Sequence, residues 1–339
     1  MKKSVASIYL LSDGCKPTED LYFWDSAVPF LRRRNYTVKR VDCRRYLPGR
    51  DVLFDDAVVI VCRSLSAAWI KHLEKNRPKR LVYIIDDYFS GAATSDGLPR
   101  MYQKKLSEVD LIAQRILALA NDVLVSSHSL LQRYADYAPM LLNPSMPAAA
   151  FTSAIRLYNQ PVISYHGTRA HLQDLEHIAP AINDVLGEQS VFKTPRFYSL
   201  MGRHTPQTLR DCPNVKCAGP YSWGLYKRLR PFMKAQISLA PLLDTPFNSG
   251  KSWIKFLDIT AIGAVGVYSK RAPYADLIDD GITGLLASDD PAHWRECMLR
   301  LIDDPIGTQK MAVAAQKKAR AIAQPKWHYR FWRRLLDND

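Results

Sequence analysis

The chain has 339 residues, of which 47% are hydrophobic and 24% charged; this excludes a disordered or collagen-like polymer, and at roughly 150 residues per domain it predicts two domains. Forty-seven Lys and Arg against 33 Asp and Glu leave a net charge of +14, which asks for an anionic partner: a phosphorylated small molecule, an anionic membrane surface or nucleic acid. The six cysteines (15, 43, 62, 212, 217 and 297) are scattered and match no zinc spacing, so reduced thiols in a cytoplasmic chain without bound metal are expected.

From the N-terminus, Met1-Lys2-Lys3 leads into the apolar stretch Val5–Leu11. That stretch is too short for the core of a secretory signal and reads as a strand. It ends in Ser12-Asp13-Gly14-Cys15, a turn at the carboxyl edge of a sheet, where such sheets bind ligands, and Gly14 becomes an acceptor-side candidate. Further β-branched runs at Thr37–Val41, Ala57–Cys62, Leu81–Ile85 and Asp122–Ser126 alternate with helical patterns at Trp24–Arg34, Ala67–Lys75 and Leu106–Ala120. The alternation predicts a parallel sheet with crossover helices. Asp86-Asp87-Tyr88 closes the fourth strand, so either carboxylate is placed to orient or deprotonate an acceptor hydroxyl, although paired acids at a strand end also cap helices. His128 follows the fifth strand and is either a further acceptor-side residue or a neighbour of a helix start. Pro139, Pro144 and Pro147 then argue for an interdomain linker around residues 138–149.

A second series follows, with strands expected at Val162–Tyr165, Arg196–Leu200, Val215–Ala218, Ile237–Ala240 and Val265–Tyr268. The first of them runs into His166-Gly167-Thr168-Arg169, in which His166 is an acceptor-side candidate. After Ile237–Ala240, the loop Pro246-Phe247-Asn248-Ser249-Gly250 leads to a helix expected to start near Lys251 or Ser252 with Asn248 or Ser249 as cap; a helix N-terminus offers free N–H groups to phosphate. Gly250-Lys251-Ser252 is not a P-loop, because Thr245 stands where the first glycine belongs. Lys251, Lys255 and Asp258 fall at i, i+4 and i+7, a spacing that puts them on one helix face: ammonium groups for a diphosphate, a carboxylate for ribose hydroxyls. The alternative is a solvated, charge-paired face. The closing run Pro325–Leu336 interleaves Lys326, Arg330, Arg333 and Arg334 with Trp327, Tyr329, Phe331 and Trp332. It reads as a helix that packs its aromatic side on the protein or docks on a membrane. No segment approaches about 18 uninterrupted apolar residues, so no membrane span is expected.

The order of elements from Leu257-Asp258 through Ala261-Ile262-Gly263-Ala264-Val265-Gly266-Val267 to Asp280-Gly281-Ile282-Thr283-Gly284-Leu285-Leu286 resembles the donor-binding lobe of GT-B glycosyltransferases. Within that fold it is similar to the retaining "glycosyl transferases group 1", or family 4, and to a divergent bacterial branch of it. In that family a glutamate-bearing helix precedes an A-x-G-x-P-V turn, a strand and a D-G-x-x-G-x-L loop. Of the family's two glutamates eight positions apart, the second falls on Asp258 and the first on Gly250, and Gly266 stands near the place of the family's proline. The resemblance implies two Rossmann-like lobes facing a cleft: residues 1–148 on the acceptor side, 149–324 binding a nucleotide-sugar, and 325–339 returning to the first lobe or the membrane face. It implies a glycosyltransferase that is metal-independent and retaining and moves a sugar to a surface-glycan or lipid-linked hydroxyl. Gly167 and Arg169 would meet the diphosphate, with His171 as a substitute for Arg169, and Tyr221 and Tyr274 would border the donor. Lys251, Arg169, Asp86 and Asp87 would carry the chemistry, on a chain located in the cytoplasm or on the inner face of its membrane. A second expectation, from the missing carboxylate at Gly250, is a non-catalytic sugar-nucleotide or glycan-binding subunit. No nucleic-acid motif accompanies the charge, and nucleic acid is not expected as a partner.

Overall fold

The computed structural model describes residues 7–14, 16–49, 54–93, 100–151, 160–188 and 194–337; Val5, Ala6 and Cys15 lie outside them. The chain divides into two compact units: residues 1–147 with 245–252 and 323–339, and residues 148–244 with 253–322.

In the first unit, β1 (Ser7–Ser12), β2 (Thr37–Asp42), β3 (Ala57–Cys62), β4 (Arg80–Ile85), β5 (Asp122–Val125) and β6 (Met140–Leu141) form one sheet in the order β2-β1-β3-β4-β5-β6. Every pairing is parallel. The six residues of β3 are all buried, as expected of an unbroken apolar run covered on both faces. Helices Ala67–Lys75 and Arg100–Leu119 cross between strands. The expected Trp24–Arg34 helix is broken: a π-helical turn covers Asp20–Trp24 and the α-helix runs Val28–Arg33, with Pro29 in its first turn, where proline costs no hydrogen bond. The expected linker contains the short strand β6, which two residues of apolar sequence among prolines could not announce.

In the second unit, β7 (Val162–Tyr165), β8 (Arg196–Ser199), β9 (Val215–Cys217), β10 (Ile237–Ala240), β11 (Val265–Ser269) and β12 (Leu285–Ala287) are ordered β12-β11-β10-β7-β8-β9, again all parallel. The core is built from Ile163, Phe197, Leu239, Val267 and Trp294 together with the apolar face of the helix Leu172–Gly187. The segment expected as a glycine loop ends in β12, whose Leu286 N–H is accepted by Asp280 Oδ1 at 2.9 Å.

The closing helix Pro325–Asp337 belongs to the first unit. Trp332 is fully buried, donates Nε1–H to Tyr22 O at 3.0 Å and meets Phe23 edge-on at 4.7 Å. His328 pairs Nδ1 with Ser26 Oγ at 2.8 Å and Nε2 with the carbonyl of Asn143, and burial holds its pKa down at about 4 against an ordinary 6.5. The unfolded chain therefore takes up this proton first as pH falls. The stability His328 contributes is complete above about pH 6.5 and is lost progressively toward pH 4, about 2 kcal/mol of it by pH 5. Thermal melts between pH 7 and pH 4.5 should show a declining midpoint, and His328→Gln should flatten part of that decline; an identical slope in the variant would contradict it.

Candidate functional site

Parallel sheets bind ligands at the carboxyl ends of their strands, where the strand order reverses. In the second unit this point lies between β7 and β10, the two central neighbours from which the order runs outward in both directions. At the end of β7, His166 is 6% exposed. Its Nδ1 shares a 3.0 Å hydrogen bond with the Tyr226 hydroxyl, and burial, with the Lys255 ammonium second, lowers its pKa to about 3. At neutral pH it is an uncharged imidazole. The Lys255 Nζ donates to the carbonyl of His166, which fixes the ammonium at the edge of the sheet.

Lys255 lies on the helix Ile254–Ala261, and Asp258, three residues on, shares its face. Asp258 is 6% exposed, and its Oδ1 is buried with no hydrogen-bond partner. Arg230 Nη1 stands 3.8 Å from that oxygen, close enough to attract and too far to bond. Burial raises the Asp258 pKa, while Lys255 and Arg230 pull it back. A buried carboxylate oxygen without a donor is costly and rare, which marks Asp258 as a functional-site candidate.

Beside this group, Val162 and Ser164 of β7, Tyr198 of β8, and His166 and Leu200 just past the ends of those strands line, with Tyr221, a cavity of about 570 Å³. Gly167 packs closely in the turn: a Cβ there would sit 2.3 Å from the Tyr165 ring. Arg169 is exposed in the 3-10 turn Arg169–His171. His171 is engaged elsewhere, by Asp174 Oδ2 at 2.7 Å. Tyr274 is a core ring, 3% exposed and packed against Tyr268 at 5.1 Å.

The first unit gathers a second set of charges at the ends of its strands. Asp87 is bound by Lys251 Nζ at Oδ1, 2.6 Å away, and by Arg63 at Oδ2. Arg63 Nε also lies 3.3 Å from Asp86 Oδ1, and Asp86 Oδ2 accepts from Thr18. Both acids are buried, and burial raises the pKa of Asp86 against the pull of Arg63. Gly14 is partly buried in the turn after β1, and His128 is an exposed first residue of the helix His128–Arg133, capped by Ser127.

Several expectations are corrected here. Residues 246–250 are not a bare loop: Pro246–Ser249 is a helical turn capped by Thr245 Oγ1, which accepts from Asn248 N at 3.1 Å. Asn248 and Ser249 are inside that turn rather than caps, and the next helix starts at Ile254. Lys251 therefore precedes the helix and does not share a face with Lys255 and Asp258. The whole segment Thr245–Ser252 belongs to the first unit. Its Ser249 Oγ accepts from Arg133 at 3.0 Å, Gly250 O from Ser127 Oγ at 3.0 Å, and Ser252 Oγ from the Tyr22 hydroxyl at 3.0 Å. At Gly250 a Cβ would stand 2.8 Å from the backbone nitrogen of Tyr88, which is why no glutamate occupies this position. His166, expected on the acceptor side, lies in the second unit with Lys255 and Tyr221. Sequence reasoning missed Arg63, Tyr226 and Arg230. Arg63 is a single cation after a buried strand, and the other two sit in a basic helical stretch with no motif.

The sequence matches no protein-family model and no curated protein. Among solved structures it is similar to sucrose-phosphate synthase from Thermosynechococcus elongatus, at 13% identity over 98% of this chain and 100% of that one, with a TM-score of 0.69. It is also similar to HepE of Anabaena in complex with UDP-glucose (11% identity, 98% and 100% coverage, TM-score 0.67). A glycosyltransferase from Rickettsia africae follows at 10% identity, 98% and 99% coverage and TM-score 0.66. These likenesses show the fold, the two-sheet α/β arrangement of GT-B glycosyltransferases.

Proposed function

We propose that this protein is a nucleotide-sugar-dependent glycosyltransferase whose donor is held by the second unit. The observation that carries the reading is Asp258: a buried carboxylate with an unpartnered oxygen, set beside Lys255 and Arg230 at the switch point of a parallel sheet. The carboxylate is suited to ribose hydroxyls and the two cations to a diphosphate. The neighbour HepE, crystallised with UDP and with UDP-glucose, supports this class of donor.

Breaking the bond between sugar and diphosphate leaves negative charge on the phosphate, and positioned cations lower that barrier more than a strong nucleophile would. Lys255 and Arg230 are fixed for this, and the exposed Arg169 is free to swing toward the outer phosphate. His166 is uncharged, so it contributes hydrogen bonding and no phosphate charge. In this reading Lys251 is a clamp on Asp87, and Asp86, with its raised pKa, is the first-unit carboxyl suited to hold an acceptor hydroxyl. The acceptor class we favour is a surface-glycan or lipid-linked hydroxyl, and the transfer we favour is retaining and metal-independent.

Incubating the protein with UDP-, GDP-, ADP- and dTDP-sugars and measuring nucleoside diphosphate release, with and without chelator, tests the reading. Release from one nucleotide class, undiminished by chelator and lost in Lys255→Ala, is the expected result. Binding of a nucleotide without turnover of any of its sugars would favour a sugar-nucleotide-binding subunit, the second reading, which rests on the absent carboxylate at Gly250.

A further inference from the structure

The helix Pro325–Asp337 buries one side, through His328, Trp332, Leu335 and Leu336, and leaves Lys326, Trp327, Arg330, Arg333 and Arg334 exposed. Trp327 is 48% exposed although it is among the most apolar side chains on the helix. Two cations hold its ring, Lys326 Nζ at 5.0 Å and the Arg330 guanidinium at 4.9 Å from its centroid. Next to it opens a groove of about 470 Å³ whose walls are Met140, Trp327, Phe331 and Leu335, with Arg330 and Arg334 along them. On the other flank, Phe30 stacks on Tyr329 at 5.4 Å and brings up the neighbouring helix Val28–Arg33, from which Arg32, Arg33 and Arg34 are exposed.

An apolar groove edged by guanidinium groups, flanked by an upright indole and further arginines, is complementary to an anionic amphiphile. Its head carries phosphate and its body is hydrocarbon. A surface evolved for solubility alone would not set a tryptophan and an apolar trough among its cations. We propose that this face of the first unit docks on a bilayer of anionic phospholipid, with Trp327 and Phe331 entering the interfacial region and Arg330 and Arg334 on lipid phosphates. Aromatic rings and arginine are the residues that prefer that region, and each basic residue near an anionic surface strengthens attraction to it. This accounts for part of the net charge of +14, which the donor site does not use. Among the described residues no helix is long and apolar enough to cross a membrane. The inference is independent of the donor-site reading, because it concerns different residues and needs no nucleotide.

The test is flotation of the purified chain with phosphatidylcholine vesicles and with vesicles containing about one third phosphatidylglycerol, without nucleotide. The expected result is flotation with the anionic vesicles alone, weakened by salt as a screened attraction must be. The double variant Arg330→Glu, Arg334→Glu should lower the apparent affinity at least tenfold, and Trp327→Ala several-fold. Both should keep the wild-type melting temperature, since these side chains point outward. Equal binding to neutral vesicles, or anionic binding unchanged in the double variant, would overturn the proposal. So would preferential, Arg330-dependent binding of a single-stranded RNA that anionic vesicles fail to displace. Nucleotide binding measured on the same variants separates the two readings: it should be unaffected whichever way the vesicles behave.

Discussion

Asp258→Ala is expected to weaken nucleoside diphosphate binding by about 100-fold, on the order of 3 kcal/mol, because a hydrogen bond to a charged, desolvated acceptor is among the stronger single interactions. Two features of the site make the effect large. The carboxylate is buried, so water screens its interactions little, and the cations beside it lose their local counter-charge when it is removed. The sign for stability is opposite. Burial raises the Asp258 pKa above its ordinary value despite Lys255 and Arg230, so the ionised form costs the folded state free energy at neutral pH, and acidification toward the ordinary carboxylate range relieves that cost. Asp258→Asn should therefore raise the melting temperature of the ligand-free protein at neutral pH, while it loses nucleotide affinity. Calorimetric titration and thermal denaturation of the same preparation decide this. A variant that is less stable and binds normally would make Asp258 a structural partner of Arg230.

Asp87→Ala is expected to have the largest effect on stability, about 3–5 kcal/mol, the usual consequence of stranding buried charges by removing their partner. Asp87 holds Lys251 at one oxygen and Arg63 at the other, and Lys251 is the charged anchor of the segment Thr245–Ser252 in the first unit. Lys251→Met, which removes the charge and its contact with the Phe247 ring but leaves Asp87 paired with Arg63, should cost less. The double variant should recover part of the loss, with a coupling energy of at least about 1 kcal/mol in the thermodynamic cycle. A limited proteolysis time course would show early cleavage within residues 245–252 in Asp87→Ala. Unchanged stability with abolished turnover would instead return Asp87 and Lys251 to the catalytic roles expected from sequence.

The sheets were legible because the signal is physical and local. Runs such as Ala57–Cys62 and Ile237–Ala240 are buried on both faces, so they read as unbroken β-branched segments and appear as strands with the same bounds. Met140–Leu141 and Leu285–Ala287 were not, since strands of two and three residues carry too little periodicity to stand out from a linker or a glycine loop. The candidate site was legible only where one helix supplied it: Lys255 and Asp258 share a face by their spacing. Extending that face back to Lys251 failed because the helical pattern is interrupted at residues 250–253, where Gly250 packs against Tyr88, and a helical wheel carries no record of contacts so distant in sequence. For the same reason Arg63, Tyr226 and Arg230 were invisible: their partners are fixed by tertiary packing. Gly250 shows the converse. The residue read as a lost carboxylate is where the backbone of Tyr88 leaves no room for a side chain.

The central claim is that the second unit holds a nucleotide through Lys255 and Asp258. The most direct measurement is a thermal-shift titration of the purified chain with UDP, GDP, ADP, dTDP and CMP, alongside Asp258→Ala and Lys255→Ala, since a ligand that binds only the folded state raises its melting temperature in proportion to its occupancy. A selective rise of several degrees with one nucleoside diphosphate, lost in both variants, is the expected result. No rise with any nucleotide, or a rise that both variants retain in full, would contradict it.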